Sequence, residues 1–566
     1  MKGLSTVQKK DYYGSLSHMI IIMGKISIPL LLCFITFLLS SSITFFSIRH
    51  ESILMTQSFS IFLLYFNCLI VGTFWGGSLG FQISGSQAFG EKRKKDVGIL
   101  FQHSLSLTFI MSIIFSIFTY STVPYFINKK GFLNEYVSEC LNIQFKILAI
   151  SIPFFTCSQV YNRLSMITQN TNLCFYSGLF GLIIHAFSLF LFNGLLDMPV
   201  YSIGLSYLFN FIALFAYLVY FFYNDNLSNI MQPFSKEYLF DIKGLYNQLK
   251  YGLHPFLNYI FFVGSIEAVS MFGLLIDEIN FTVLTIYMNI LSIIIVISEA
   301  LSNTMSMLSA YFIGKRNGMM LKKVFKTAII LSTIVQLIFI SLILLFPKQI
   351  LSLYSTDSDF LRLGLENINI FALSISLNSY HFVPSEFIVV FGNQLIPLYS
   401  VIIGKYIVQF GGAYIFAKTY KLRGIMYCMC LGQLICLAIF AYYIYYHIDF
   451  NNFSKIETIR MISSNSLARI SEKCEKNESS KNINLEIDKS KEKLNNDIEM
   501  KLFDNSKVYI KNKSYMENEK YVLNSLTNKE NYDIDNSIDI DDNYTPPVEN
   551  SLKILQKKAI YNQFKS

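Results

Sequence analysis

Charged side chains are scarce in this sequence. Asp, Glu, Lys and Arg make up 15% of the 566 residues, whereas 53% of the residues are hydrophobic; a soluble protein typically carries about 25% charged residues. This composition argues against a soluble globular protein and favours one that lies in a lipid bilayer. The hydrophobic residues form runs of roughly 20 residues, the length that a helix needs to cross about 30 Å of hydrocarbon.

Several catalytic signatures are absent as well. The sequence has no Walker A glycine loop, no HExxH motif and no GxSxG nucleophile elbow, so ATP hydrolysis and the common hydrolase reactions lack their parts. The nine cysteines are scattered and lack metal-ligand spacing, so we interpret them as small apolar packing residues. We therefore expect no enzyme activity, no metal and no cofactor. If the protein moves a solute across the bilayer, the energy must come from an ion gradient or from the solute's own gradient.

The apolar segments predict an all-α polytopic membrane protein with about 12 transmembrane helices. From about residue 449 onward, the chain carries too little apolar surface to offset the entropy of ordering, which predicts a disordered cytosolic tail. The predicted spans lie near residues 26–48, 53–83, 99–126, 141–163, 172–195, 199–223, 251–275, 280–306, 327–347, 366–391, 395–417 and 424–447.

An internal repeat relates the two halves of the predicted membrane region. At a constant offset of 223 residues, the segment 86–93 lies opposite 309–316, and 149–152 lies opposite 372–375, with matching residues at equivalent places in each half. Six spans per unit is an even number, so both units enter the membrane with the same polarity, as in parallel-repeat transporters. We predict an N-terminal six-helix lobe at 1–223, a cytoplasmic linker at 224–248, a C-terminal six-helix lobe at 249–447 and the tail at 448–566.

Basic residues cluster next to the predicted spans. The clusters Lys92–Lys95 and Lys315–Lys326 follow spans two and eight, which by the positive-inside rule places these loops, and with them both termini, in the cytoplasm. The basic residues of Lys418–Arg423 would then face the opposite side, against the rule. Because the charges lie in short loops between apolar helices, we expect no nucleic-acid partner.

Three acidic residues fall inside predicted spans: Glu267 in span seven, Glu299 in span eight and Glu386 in span ten. An ionised group within the bilayer is costly, so such residues usually face a bundle interior or a water-filled cavity and mark function. All three lie in the second half, while the first half offers uncharged groups such as Gln82. The alternative interpretation is that these side chains only hydrogen-bond neighbouring helices.

Two helical patterns extend the candidate site. In span eight, Asn289, Glu299 and Asn303 share one polar stripe at 100° per residue, which predicts that this face meets protein or water. In span ten, Asn378 and His381 share a face, and Pro384 should kink the helix just before Glu386. Lys405 in span eleven is interpreted as structural or as snorkelling to the membrane surface.

The sequence resembles the multidrug and toxic compound extrusion (MATE) family, in its eukaryotic branch, over residues 25–445. The segment Gly80–Gly90 is similar to that family's motif ending in Ser-Gln-Ala-Phe-Gly, and Thr282–Asn289 and Gly392–Gln394 resemble segments of its eukaryotic members. Pro29 and Pro255 match prolines near the start of each lobe. The family belongs to the multidrug/oligosaccharidyl-lipid/polysaccharide flippase superfamily.

The resemblance implies roles for several of these residues. Glu267 is the counterpart of the family's carboxylate on span seven, which is central to cation binding and exchange. Asn289 and Asn378 stand where acids are often found on spans eight and ten, and Gln82 replaces a frequent acid in span two. Glu299 and Glu386 lie about two to three turns away and could restore the lost charges.

These observations predict a secondary transporter that works by alternating access between two lobes, a proton- or sodium-coupled antiporter that exports organic cations or related small molecules. We expect Glu267 to hold a proton and a cationic substrate in turn. A monomer in the plasma membrane or an organelle membrane is expected, with membrane lipids and a small cationic molecule as partners. The alternative is a flippase for lipid-linked or amphiphilic substrates; a membrane-embedded acyltransferase using His381 with Asn378 is a weaker one.

Overall fold

The structure is a computed structural model, and it describes residues 16–48, 53–122, 125, 134–224, 234–352, 354, 357–448 and 450. The side chains of residues 53, 75–77, 237, 267, 274 and 278 are not described. Almost all of the predicted tail, 448–566, and the linker residues 225–233 lie outside the described part.

The described chain is a bundle of long apolar helices, and none of its residues forms a β-strand. Within the described residues, eleven helical segments are long and apolar enough to cross a membrane. Ten of them are α1 (Leu16–Ile48), α2 (Leu54–Gly90), α3 (Lys94–Thr122), α4 (Glu135–Ile167), α5 (Thr171–Leu195), α6 (Pro199–Asn224), α7 (Ile242–Gly273), α8 (Ile279–Gly314), α9 (Gly318–Leu345) and α10 (Ser358–Val390).

The last segment, Leu395–His447, has 53 residues, about twice the length that one membrane span needs. Lys421 interrupts it with a left-handed backbone conformation, φ 51° and ψ −140°. The segment therefore consists of two helices, α11 before Lys421 and α12 after it, which completes the predicted set of twelve. Two short helices, Lys236–Leu239 and Pro347–Ser352, lie before α7 and before α10.

The helices differ from the predicted spans mainly in length. α2 and α8 continue to Gly90 and Gly314, past the predicted ends at 83 and 306, and α7 begins at Ile242, inside the predicted linker. Pro29 and Pro255 lie inside α1 and α7. Since hydropathy marks only the hydrocarbon region, helical turns beyond it escape a prediction based on apolar residues.

Each half has its own apolar core. In the first half, aromatic side chains of α2, α4 and α6 pack together, including Phe62, Phe66, Tyr207 and Phe211. In the second half, α7, α8, α10 and α12 contribute to a corresponding cluster around Tyr287 and other residues. Many large hydrophobic side chains remain exposed on the outer faces of the helices, as expected of helices that meet lipid tails.

The two halves contact each other mainly through four helices. α2 packs against α7 and α8, and α1 packs against α8. At the far ends of α2 and α8 the backbones approach closely: a Cβ atom at Gly90 would overlap the carbonyl oxygen of Tyr311, and one at Gly314 would overlap that of Gln87. Small residues permit such close helix packing in membrane proteins, so glycine is required at both positions in this conformation.

Candidate functional site

A small cavity lies where α2 of the first half meets α7, α8 and α10 of the second half. Its volume is about 20 Å³, enough for one or two water-sized species. Polar and aromatic side chains line it: Leu79, Asn258, Tyr259, Phe262, Glu299, Ser302, Asn303, His381, Phe382, Ser385 and Glu386.

The cavity collects polar atoms that have no hydrogen-bond partner among the described residues: Glu299 Oε1, Glu386 Oε2, Asn258 Oδ1, Ser302 Oγ and His381 Nε2. Glu299 is only 7% exposed. Because buried polar groups in proteins are nearly always hydrogen-bonded, such a concentration indicates a place that receives water or an ion. A carboxylate can bind a proton, and carboxylate, amide and hydroxyl oxygens can all bind a hard cation.

The break in α10 places three of these side chains. The helix is continuous over Ser358–Ser379 and resumes at Phe382–Val390. Pro384 cannot donate a hydrogen bond to the carbonyl four residues earlier, at Tyr380, so the helix is interrupted there. The helix is thus interrupted where the kink was predicted, and His381, Ser385 and Glu386, which follow this break, line the same cavity.

His381 is oriented by its neighbours. The side-chain amide of Gln433 on α12 lies 3.1 Å from His381 Nδ1, and the imidazole ring stacks on Phe262 with ring centroids 4.3 Å apart. When the amide N–H donates to Nδ1, the proton of a neutral imidazole is on Nε2. His381 then presents an N–H donor to the cavity.

Next to the cavity, Arg163 of α4 bridges the two halves. The guanidinium is 2% exposed, and it donates to Ser78 Oγ at 3.0 Å and to Gln82 Oε1, both on α2. It also donates to Asn303 Oδ1 on α8 at 2.6 Å. Gln82 Nε2 in turn donates to the backbone oxygen of Asn303 at 3.1 Å. The hydrogen bonds that Arg163 donates are charge-assisted, and such bonds are stronger than neutral ones.

A second buried cation lies within the second half. Lys405 is 1% exposed, so the snorkelling interpretation is wrong. Its ammonium donates to Asn378 Oδ1 at 2.5 Å and lies 5.6 Å from the centre of the Phe262 ring. Asn378 Nδ2 donates to the backbone oxygen of Ser374 at 2.8 Å. Lys405 belongs to the π-helical turn Ile402–Phe410, a type of turn that is frequent at functional sites.

The structure thus gathers only part of the predicted site. Glu299, Glu386 and His381 line one cavity; Gln82 joins them through Arg163, and Asn378 is bonded to Lys405. Asn289 is exposed and donates to the backbone oxygen of Thr285 at 3.1 Å. The polar stripe of α8 is therefore buried at Glu299 and Asn303 but exposed at Asn289. The side chain of Glu267 lies outside the described part.

Arg163 was missed from the sequence because it stands at the predicted end of span four, where a basic residue suggests the membrane surface. In the structure α4 continues to Ile167, so the guanidinium is enclosed. A signal was present: Gln159 precedes Arg163 by four residues, which places two polar side chains on the same face of an apolar helix. Tyr259 and Asn258 were not predicted as site residues because neither side chain carries a charge.

Taken together, the twelve apolar helices of the described part of the chain, the internal repeat and the ionisable side chains buried near the contact of the halves define a polytopic membrane transporter. The sequence model of the family MatE matches residues 29–191 and 256–415, one stretch in each half. The chain belongs to the MatE family, whose members are transporters and not enzymes.

Solved structures of this family share the fold. A eukaryotic MATE transporter, AtDTX14, has 12% sequence identity and a TM-score of 0.70, over 78% of this chain and 98% of its own. The outward-facing conformation of a multidrug resistance MATE family transporter of the MOP superfamily gives 16% identity and a TM-score of 0.69, over 75% and 95%. No curated protein matches the sequence at a significant level.

A third structure, a MOP superfamily transporter from Pyrococcus furiosus Vc1, has 16% identity and a TM-score of 0.70, over 77% of this chain and 97% of its own. Its structure was described as having a reversed binding-pocket polarity that suggests a different function. At these identities the likeness shows the fold alone.

Proposed function

We propose that this protein is a secondary active antiporter that exports organic cations in exchange for protons, or for sodium ions, by alternating access between its two halves. The observation that carries the proposal is the pair of carboxyl groups, Glu299 and Glu386, each with an oxygen that lacks a protein partner in the cavity between the halves. A carboxylate can bind either a proton or a cation, so one site serves both ligands in turn.

Exchange follows from this competition. When Glu299 and Glu386 release a proton, their charge can attract an organic cation; when a proton returns, the cation is expelled. Aromatic rings of Tyr259, Phe262 and Phe382 line the same cavity and could supply cation–π contacts. A cavity of about 20 Å³ is too small for an organic cation, so the larger ligand requires the halves to move apart.

The finer topology belongs to the same proposal. We propose lobes at 1–223 and 249–447 joined by the cytoplasmic segment 224–248, with both termini cytoplasmic and the transporter acting as a monomer in the plasma membrane or an organelle membrane. Basic residues at Lys92 and at Lys315 follow the ends where Gly90 and Gly314 pack, and these ends would face the cytoplasm. In that case the described conformation is closed on the cytoplasmic side.

The proposal is tested by uptake of labelled tetraethylammonium into proteoliposomes, with proton and sodium gradients imposed separately. Wild-type protein should accumulate the cation with one of the two gradients, whereas Glu299→Gln and Glu386→Gln should lose most of this uptake. Glu366→Gln is the matched control, because Glu366 lies on the same helix as Glu386 and is exposed. Uptake that ignores both gradients, or that survives in both cavity variants, would overturn the proposal.

A flippase for lipid-linked or amphiphilic substrates is the second candidate function, and one observation favours it. Arg163 and Lys405 are buried cations, and such groups bind phosphate headgroups. Both already donate to side chains of the protein, Arg163 to Gln82 and Asn303 and Lys405 to Asn378, which leaves less capacity for a headgroup. Translocation of a fluorescent lipid between the leaflets of proteoliposomes, without organic-cation uptake, would favour the flippase.

A further inference from the structure

Arg163 places a permanent positive charge between the halves. A guanidinium keeps its proton in proteins, and this one is held from both sides. Ser78 and Gln82 of the first half accept from it, and Asn303 of the second half accepts at 2.6 Å. The charge is therefore fixed in position as long as the halves are packed as they are here.

The guanidinium of Arg163 lies close to the carboxyl groups of the cavity. Asn303, which accepts from Arg163, lines the cavity together with Glu299 and Glu386, and its Nδ2 donates to the backbone oxygen of Glu299 at 3.0 Å. Arg163 interacts electrostatically with Glu386 and with Glu299. Lys405, the other buried cation, donates to Asn378 and is not part of this cluster. When both carboxyl groups are ionised, Arg163, Glu299 and Glu386 together carry one net negative charge.

We propose that Arg163 is a built-in cation that limits the ligand of this site to a single positive charge. The inference rests on the proposed function in taking Glu299 and Glu386 as the cation site. A net charge buried in a medium of low polarity is costly, so the preferred occupant is the one that neutralises the site. One proton or one monovalent cation does so, whereas a divalent cation leaves an uncompensated positive charge.

Without Arg163, the same cavity has the chemistry of a divalent-cation site. Two carboxylates, the Asn258 amide oxygen and the Ser302 hydroxyl are oxygen ligands of the type that Ca²⁺ prefers, and each has an atom without a protein partner. The cavity has room for an ion rather than for a larger ligand. Arg163 thus acts as a specificity-determining residue: its fixed charge, held next to the cavity by Asn303, supplies the second positive charge that a divalent cation would otherwise bring.

The test is equilibrium binding of radioactive Ca²⁺ to the full-length protein in detergent, at millimolar concentration and neutral pH. Arg163→Gln should bind about one Ca²⁺ per chain, while wild type should bind none above background. The double variant Arg163→Gln/Glu386→Gln restores a site with one net negative charge, so it should again bind no Ca²⁺. Lys146→Gln is the matched control, because it removes a positive charge from an exposed position on the same helix.

Equal Ca²⁺ binding by wild type and Arg163→Gln, or none by either, would overturn the inference. Arg163→Gln could be unstable in a buffer that contains sodium as its only metal ion. In that case the inference predicts that adding Ca²⁺, or adding the Glu386→Gln change, restores the thermal stability of the variant. If neither restores it, the inference is overturned as well. The binding assay needs no organic cation, so it stays readable even if the proteoliposome experiment shows that organic cations are not transported.

Discussion

Substituting the glycines at the crossing of α2 and α8 should shift the balance between transporter conformations. Gly90 and Gly314 lie at equivalent ends of the two helices, one in each half. A Cβ at Gly90 would overlap the Tyr311 carbonyl oxygen and lie 3.1 Å from its carbon, and a Cβ at Gly314 would overlap the Gln87 carbonyl oxygen and lie 2.9 Å from its carbon. Alanine at either position therefore requires the helices to separate by roughly 1 Å.

The expected size of the effect follows from overpacking. Inserting a methyl group into a closely packed contact costs about 1–3 kcal/mol. Here the cost falls on the contact between the halves and not on the core of either half. The variants Gly90→Ala and Gly314→Ala should therefore fold, but the population of this conformation relative to the alternative should fall by about 5- to 150-fold.

Amide hydrogen exchange on the protein in nanodiscs measures this shift. Residues 80–90 and 303–314 should exchange faster in both variants, because opening exposes these helix ends to water. Gly24→Ala is the control: nothing lies within 4 Å of a Cβ there, so this helical substitution should be neutral or slightly stabilising. Wild-type exchange and wild-type transport in Gly90→Ala and Gly314→Ala would refute the reasoning.

Three further changes test other parts of the account. Asp277 begins α8, and the backbone N–H of Asn280, which donates to it at 2.7 Å, lowers the pKa of this carboxyl group. Asp277→Ala should lower the free energy of unfolding by about 1 kcal/mol and Asp277→Asn by much less, as measured by thermal unfolding. The stability that the charge contributes is complete above the ordinary pKa of 3.8. It is lost only as the pH falls through the lower pKa of the folded protein. Glu267→Gln should abolish cation exchange while the protein still inserts, if the family's carboxylate is the exchange site; wild-type exchange would leave Glu299 and Glu386 as the candidates. His185→Ala should lower thermal stability by about 1–3 kcal/mol, because His185 Nε2 is 2.9 Å from Thr44 Oγ1 between α5 and α1, yet leave the cation affinity in the uptake assay unchanged.

The sequence predicted most of the fold because membrane spans are set by length and hydropathy alone. The twelve helices, the repeat and the break caused by Pro384 all follow from local patterns in the chain. The division of the last apolar segment at Lys421 was also predicted, since polar residues separate its two spans. Helix ends were less accurate, because α2 and α8 extend past their most apolar residues to Gly90 and Gly314.

The candidate site was only partly predictable because a helical pattern shows which face is polar but not which helix lies opposite. Glu299 and Glu386 were recognised as intramembrane acids, yet their proximity depends on how α8 and α10 pack. Arg163 comes from the other half of the chain, and its contact with Asn303 depends on the docking of the two halves. No spacing within one helix contains that information.

Proton release on cation binding tests the central claim most directly. Tetraethylammonium is added to purified protein in a weakly buffered detergent solution, and the pH change is recorded for wild type and for the double variant Glu299→Gln/Glu386→Gln. If these carboxyl groups exchange protons for organic cations, wild type should release up to about one proton per bound cation and the variant should release none. Two results would contradict the account. One is that wild type binds the cation without releasing protons and that sodium does not change this binding. The other is that the variant releases as many protons as wild type.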